Sequence, residues 1–309
     1  MFFLNLNKKL LFLLAGLAIL IPASFKAENG TLIGCHGFGG NPSNIKYLFP
    51  LLFKSKKNNP VQFDDCLIGG ANLDHASCSG NNDIQSILKK INEIKGSFIL
   101  AGHSRGASSI VNVLAQLSQK QLSQIEGIFL TSPFAKVEDV VDLKVNQFGL
   151  GWVPGLSKFA NNYLLKFMLK KYDKDQLKPI DGLNHKNLDA LKNTPITVAC
   201  TSLDSLVPAN STISLINSLL KKGFKKVSYR VFSHGDHNDY MHYNESYENL
   251  QKELLDSNKV SVQEGPLKLE SNFRRYWKRN LVVFSAFGVG SYYTIKYLYK
   301  KYKQYIQPK

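Results

Sequence analysis

The chain has 309 residues, 44% hydrophobic and 20% charged, and a formal net charge of +16. That balance excludes a disordered chain, and with no Gly-X-Y, heptad or longer self-similar period it excludes fibrous and solenoid architectures. The charge sits at the ends, in seven lysines and three arginines against Glu270 over residues 266–309 and in Lys8, Lys9 and Lys26 over residues 1–27; the middle shows no basic face with interleaved aromatics, so nucleic acid is not an expected partner.

In chain order, residues 1–27 come first. Lys8 and Lys9 form a positive region, Leu10–Ile21 an apolar run, and Pro22, Ala23 and Ser24 a small-residue cleavage zone. That succession is the pattern of a secretory signal, with an uncleaved anchor as the alternative. Residues 28–265 read as the folded domain. Thr31–Cys35 predicts a buried strand, followed by a Gly-rich turn and a helix over Asn44–Phe53. Val61–Ile68 predicts a second strand, and Asp83–Ile94 a helix with Ile84, Ile87, Leu88, Ile91 and Ile94 on one face. Ser97–Ala101 and Gly127–Thr131 predict two more strands around a helix over Ala107–Leu117.

Residues 136–192 break the alternation. They carry helical patterns, Asn161–Lys171 above all, with Gly149, Gly151, Pro154 and Gly155 and no convincing strand. An insertion of ~55 residues reads as a helical cap above a sheet rather than as a structureless loop. Pro195–Thr201 and Lys226–Phe232 are the last expected strands. A helix over Asn210–Leu220, stopped at Gly223, lies between them, and one over Asp239–Leu255 follows. Strands alternating with helices predict an α/β fold, a mostly parallel sheet with helices on both faces.

Residues 266–309 close the chain. Leu281–Leu298 is a candidate transmembrane helix, since ~17–25 apolar residues cross a bilayer core when flanking lysines such as Lys296 reach outward. Trp277 marks one edge and Tyr292, Tyr293, Tyr297 and Tyr299 the other. Gly288, Gly290, Ser285, Ser291 and Thr294 make the segment only moderately apolar, so a helix lying in the interface is the alternative. The expected location is therefore exported or membrane-associated, with a membrane as partner.

Cys35 and Cys200 read as small buried side chains. Cys66 and Cys78 lie in a Gly/Asn-rich connection and are placed to close a disulfide in an exported chain. No Cys or His spacing fits a zinc site, so neither a metal nor a cofactor is expected.

The chemistry concentrates in three places. Gly102-His103-Ser104-Arg105-Gly106 has the form G-x-S-x-G between a strand and a helix. A serine oxygen stands clear there only if the strand turns sharply into the helix, which the glycines Gly102 and Gly106 permit. The helix N-terminus also directs free N–H groups at the site. His36-Gly37-Phe38-Gly39-Gly40 follows the first strand, and its Gly-rich turn brings backbone close enough to donate hydrogen bonds. Acyl transfer needs two such donors where charge develops on the attacked carbonyl, each lowering the barrier by ~3 kcal/mol. Phe38 N–H and Arg105 N–H are the candidates, with His36 and Gly37 supporting the loop. Finally, a serine hydroxyl needs a base, and the base an orienting carboxylate. Asp204 falls at a strand end before Leu206-Val207-Pro208, and His234 and His237 follow the next strand. Asp236 is the rival for Asp204. His103 reads as a packing residue of the turn, and Arg105 and the cap lysines Lys166, Lys170 and Lys171 as solvated surface charge.

Through HGFGG, GHSRG, LDSLVP and HGDHNDY the chain resembles the α/β-hydrolase superfamily over about residues 30–256. The His-Asn-Asp run looks like the histidine segment of membrane-associated serine hydrolases related to acyl-protein thioesterases and monoacylglycerol lipases. The resemblance implies an α/β-hydrolase fold and a catalytic set Ser104, Asp204 and His237, with His237 as the base. It implies cleavage of an ester-type acyl bond; the basic-flanked apolar ends and the cap point to a lipid-like substrate, with a soluble small ester, thioester or amide as the alternative. Arg105 departs from the resemblance, standing where many relatives carry an apolar residue. The competing readings are an inactive binding protein on the same fold, and a peptidase or thioesterase.

Overall fold

The structure, a computed structural model, describes residues 30–63, 81–150, 153, 155–160, 178–242, 245–256 and 285. The two terminal segments apart from Ser285, Cys66 and Cys78, the stretch 64–68 and the cap lysines lie outside the described residues. Among the described residues no helix is long and apolar enough to cross a membrane.

The elements follow in order: β1 (Thr31–Cys35), α1 (Ile45–Leu48), α2 (Pro50–Ser55), β2 (Lys57–Asn58), α3 (Asn81–Asn92), β3 (Phe98–His103), α4 (Arg105–Leu114), α5 (Gln119–Ser123) and β4 (Ile125–Thr131). Then come α6 (Val137–Gln147), α7 (Leu156–Phe159), α8 (Pro179–Gly182), β5 (Ile196–Thr201), α9 (Ala209–Lys221), β6 (Val227–Phe232) and α10 (Glu245–Leu255). The six strands form one parallel sheet in the order β2-β1-β3-β4-β5-β6.

Side chains alternate across the pleat and sort the core into two layers. Ile33, Phe98, Leu100, Ile128, Leu130, Ile196 and Val198 face the layer that includes α3, α4 and α9. Leu32, Ile99, Ala101, Phe129 and Ala199 face α1, α2 and α10. Strands buried on both faces read as continuous apolar runs, which is how they stand in the sequence. Phe129 anchors the second layer, edge-on to Phe49 and Tyr247 at 5.8 and 5.6 Å between centroids. Cys35 and Cys200 are buried free thiols, and burial pushes the Cys200 thiol up to about 12.

Two expectations need correction. The helix expected over Asn44–Phe53 is divided: a 3-10 turn over Pro42–Asn44 and α1 precede a break at Phe49, where φ is −134° and ψ 61°. Pro50 is the cause, because a proline ring excludes the preceding residue from helical geometry while suiting the first position of the next helix. Gln251 Oε1 then accepts from Leu51 N–H and Leu52 N–H, capping α2 from α10. The second strand also lies earlier than expected, at Lys57–Asn58, and Val61 contributes only an isolated bridge to Cys35. Lys57, Asn59 and Val61 donate in turn to Gly30, Leu32 and Gly34 carbonyls. Pro60 falls between two donors on an edge strand, where its missing N–H costs nothing.

Between β4 and β5 the described residues hold α6, α7, α8 and a 3-10 turn over Lys186–Leu191, with no strand. Leu183, Leu188 and Leu191 are buried in the same cluster as Ile196 and Val198 of β5. Chain order reverses between β1 and β3, since the sheet grows from β1 to β2 on one side and through β3 on the other. Open parallel sheets bind ligands at the carboxyl ends of strands beside such a reversal.

Candidate active site

Both Gly-rich segments flank that reversal point. Ser104 joins β3 to α4 at φ 52° and ψ −116°, a conformation costing a non-glycine residue on the order of 1–3 kcal/mol. Its surroundings enforce the strain. A Cβ on Gly102 would lie 2.7 Å from Ala107 Cα, and one on Gly106 would lie 2.5 and 2.6 Å from the carbonyl oxygens of Cys35 and His36. The turn is thus tight enough to press the first residues of α4 against the end of β1. Ser104 N–H donates to Thr131 O at 2.8 Å, carrying the β3–β4 ladder one residue into the turn.

The loop after β1 is set by a fully buried histidine. His36 Nδ1–H donates to Gly37 O at 2.8 Å, and Nε2 accepts from Phe63 N–H at 3.4 Å. Gly40 N–H donates to the same Gly37 carbonyl at 3.2 Å. The carbonyl and N–H of one trans peptide point in opposite directions. Fixing Gly37 O therefore turns Phe38 N–H away from His36. A Cβ on Gly37 would sit 3.4 Å from Ser104 Cβ, so this loop runs beside the serine.

Asp204 and His237 are brought together. Asp204 is fully buried after β5, and its Oδ1 accepts from Leu206 N–H at 2.9 Å and Val207 N–H at 2.7 Å. Its Oδ2 accepts from His237 Nδ1–H at 2.7 Å. The His237 ring in turn packs on that of His103, the residue before Ser104, at 4.7 Å between centroids.

No family model matches the chain, and no curated protein matches it. Among solved structures, an esterase from Pyrococcus furiosus superposes on 74% of this chain and 82% of its own, at 14% identity and a TM-score of 0.50. A protein from Agrobacterium tumefaciens, provisionally described as an α/β hydrolase, covers 76% and 89% at 15% identity and 0.45. The acylaminoacyl peptidase of Pyrococcus horikoshii covers 78% of this chain at 15% identity and 0.49. The chain spans about two fifths of that peptidase's length. The chain has the α/β-hydrolase fold.

Within this fold the other sequence candidates fall apart from the pair. His234 is exposed and sits edge-on to Phe232, 5.7 Å between ring centroids. Asp236 does not face the imidazole of His237: its carboxylate accepts from Ser205 N–H (2.7 Å), Ser205 Oγ–H (2.6 Å) and His237 N–H (2.6 Å). Burial works against its charge, but these donors and the His237 ring outweigh it and hold Asp236 below the usual carboxylate range.

Arg105 corrects the expectation of a solvated charge. Its guanidinium is 1% exposed and forks onto Asp83 of α3, Nε to Oδ2 at 2.8 Å and Nη2 to Oδ1 at 2.6 Å. Asp83 also accepts from Ser109 Oγ, and the guanidinium stacks over Phe63. A charge so deep needs a partner that neutralises it, and Asp83 is that partner. The side chain thus ties the turn to α3 and leaves only the Arg105 backbone to face the site. Sequence reasoning missed Asp83, Ser205 and Asn238, along with Lys144 and Gln147 of α6. The last two donate to Ser205 O at 2.7 and 2.9 Å and so hold the Asp204 loop. No spacing rule reaches across 22 or 61 residues, so no signal marked Asp83, Lys144 or Gln147, while Ser205 and Asn238 lay inside LDSLVP and HGDHNDY without a role of their own.

Proposed function

We propose that the chain is a serine hydrolase, carboxylesterase- or lipase-like, that cleaves ester-type acyl bonds. Ser104 Oγ attacks the carbonyl carbon while His237 Nε2 takes its proton. Asp204 accepts from Nδ1–H, which fixes the tautomer and stabilises the imidazolium. The oxyanion accepts from Phe38 N–H and Arg105 N–H. On collapse the alcohol leaves with the proton held by His237. Water, deprotonated by the same imidazole, then attacks the acyl-serine and regenerates Ser104.

What supports this reading most is the bond from His237 to a buried, doubly hydrogen-bonded Asp204, with the His237 ring packed on His103, the neighbour of a serine held at positive φ. Hydrolysis of a p-nitrophenyl ester series is the test. Ser104→Ala and His237→Ala are expected to lower kcat on the order of 10⁴-fold or more. Turnover surviving in Ser104→Ala contradicts the mechanism. Cleavage of acyl-peptides or thioesters in preference to esters selects the peptidase or thioesterase reading, and no turnover of any of them a binding protein.

We also propose a lipid-like substrate reached from a membrane, the chain being exported or anchored. The support is the sequence of the ends, where apolar runs lie between clusters of Lys and Arg. Membrane fractionation with and without residues 266–309 tests it.

A further inference from the structure

We propose that His103 and Asn238 form a bridge that fixes the spacing between Ser104 and His237, making both positioning residues; the proposal rests on the serine-hydrolase reading above. His103 immediately precedes the serine and Asn238 immediately follows the base. His103 Nε2 lies 2.9 Å from Asn238 Oδ1. Its Nδ1 lies 3.0 Å from Oγ1 of Thr131, the last residue of β4, and that oxygen is 3.1 Å from Gly102 O. One end of the ring is therefore anchored in the sheet, and the other reaches the His237 loop.

That loop is short of regular structure, running in turns from Ser233 to His242 with His234, Asn238 and Asp239 exposed. Thr201 Oγ1 lies within hydrogen-bond distance of the His234 and Gly235 carbonyls, and Asp236 binds Ser205, so these contacts register the loop on β5 and the Asp204 loop. Tyr240 OH holds its far end near Ser132. The His103–Asn238 bond runs instead to the turn that carries the nucleophile. Burial, then the neighbouring His237, push the His103 pKa well below 6.5, so the ring stays neutral. Both ring nitrogens are engaged, Nε2 with Asn238 Oδ1 and Nδ1 with Thr131 Oγ1, so neither stands free to act as a base. An error of about 1 Å between reacting groups costs ~100-fold in rate, so a single bond of this kind has kinetic weight.

The rate of Ser104 modification by a fluorophosphonate probe reads this spacing without knowledge of the substrate. Asn238 is exposed, so Asn238→Ala is expected to leave the melting temperature and the probe's KI unchanged. The limiting rate kinact is expected to fall about tenfold, and Asn238→Asp, which keeps the acceptor oxygen, to recover it. His103→Ala combined with Asn238→Ala is expected to lose no more than His103→Ala alone. A wild-type kinact in Asn238→Ala, a loss carried by KI, a failure of Asn238→Asp to recover the rate, or additive losses in the double variant each overturn the bridge. Labelling that persists in Ser104→Ala is a different result, and it removes the underlying serine-hydrolase reading instead.

Discussion

Arg105 carries its charge into the protein interior one position after the proposed nucleophile, and its stability there depends on Asp83. Breaking a buried pair from one side strands a charge. Asp83→Ala is expected to cost about 3–5 kcal/mol in urea denaturation, whereas replacing both partners by apolar residues of similar volume costs far less. His103 makes the second prediction at this scale. Its folded pKa lies well below the ordinary 6.5, because burial and His237 disfavour its charge. The unfolded chain therefore binds a proton below pH 6.5 that the folded chain refuses, and stability falls as pH drops from 6.5 toward the folded pKa. His103→Gln is expected to flatten that loss in thermal melts at pH 7, 6 and 5. Asp236 has the opposite shift, below the usual carboxylate range, so its stabilisation is present above that range and disappears as pH falls through the folded value. The residues expected to do chemistry were legible because acyl transfer demands particular side chains at strand ends. The roles of those that hold them in place were not, because Asp83, Ser205 and Asn238 are ordinary polar residues until the fold chooses their neighbours.

At the scale of elements, the turn between β3 and α4 concentrates the constraints. Gly106→Ala would drive a Cβ into two backbone carbonyls of the β1 loop, and backbone yields less readily than a side chain. The expected outcome is loss of probe labelling together with a lower melting temperature. Labelling at the wild-type rate would mean that α4 can move away from β1 far enough to admit a Cβ at Gly106. Phe129 is the corresponding test of the layer beneath α1 and α10, where Phe129→Ala is expected to destabilise by about 3–5 kcal/mol. Five of the six strands were readable as apolar runs, because strands buried on both faces have no other way to be written. The second was misplaced: Val61 and Phe63 are the apolar residues there, yet pairing with β1 is made mainly by Lys57 and Asn59, and an edge strand needs no hydrophobic run. The helix expected over Asn44–Phe53 was divided by a proline that the apolar pattern concealed.

The whole molecule brings four widely separated segments to one rim of a parallel sheet. The β1 loop and the Ser104 turn meet because the chain order reverses between β1 and β3, and the Asp204 and His237 loops follow from β5 and β6. That convergence was legible as alternation of strands and helices plus the order Ser104, Asp204, His237. The division of labour among loop hydrogen bonds was not, since it depends on register between strands. Twelve of the sixteen net positive charges belong to the ends, so binding to anionic vesicles is expected to weaken with added salt and on removal of residues 266–309. Salt-independent binding that survives the deletion would contradict an electrostatic role for that tail. The central claim is that Ser104 is an activated nucleophile, and peptide mass spectrometry after fluorophosphonate treatment tests it most directly. The account predicts a single phosphonyl adduct on the peptide containing Ser104, lost in Ser104→Ala and strongly slowed in His237→Ala. An unmodified Ser104 peptide in folded protein, or an adduct on another serine that Ser104→Ala leaves in place, would contradict it.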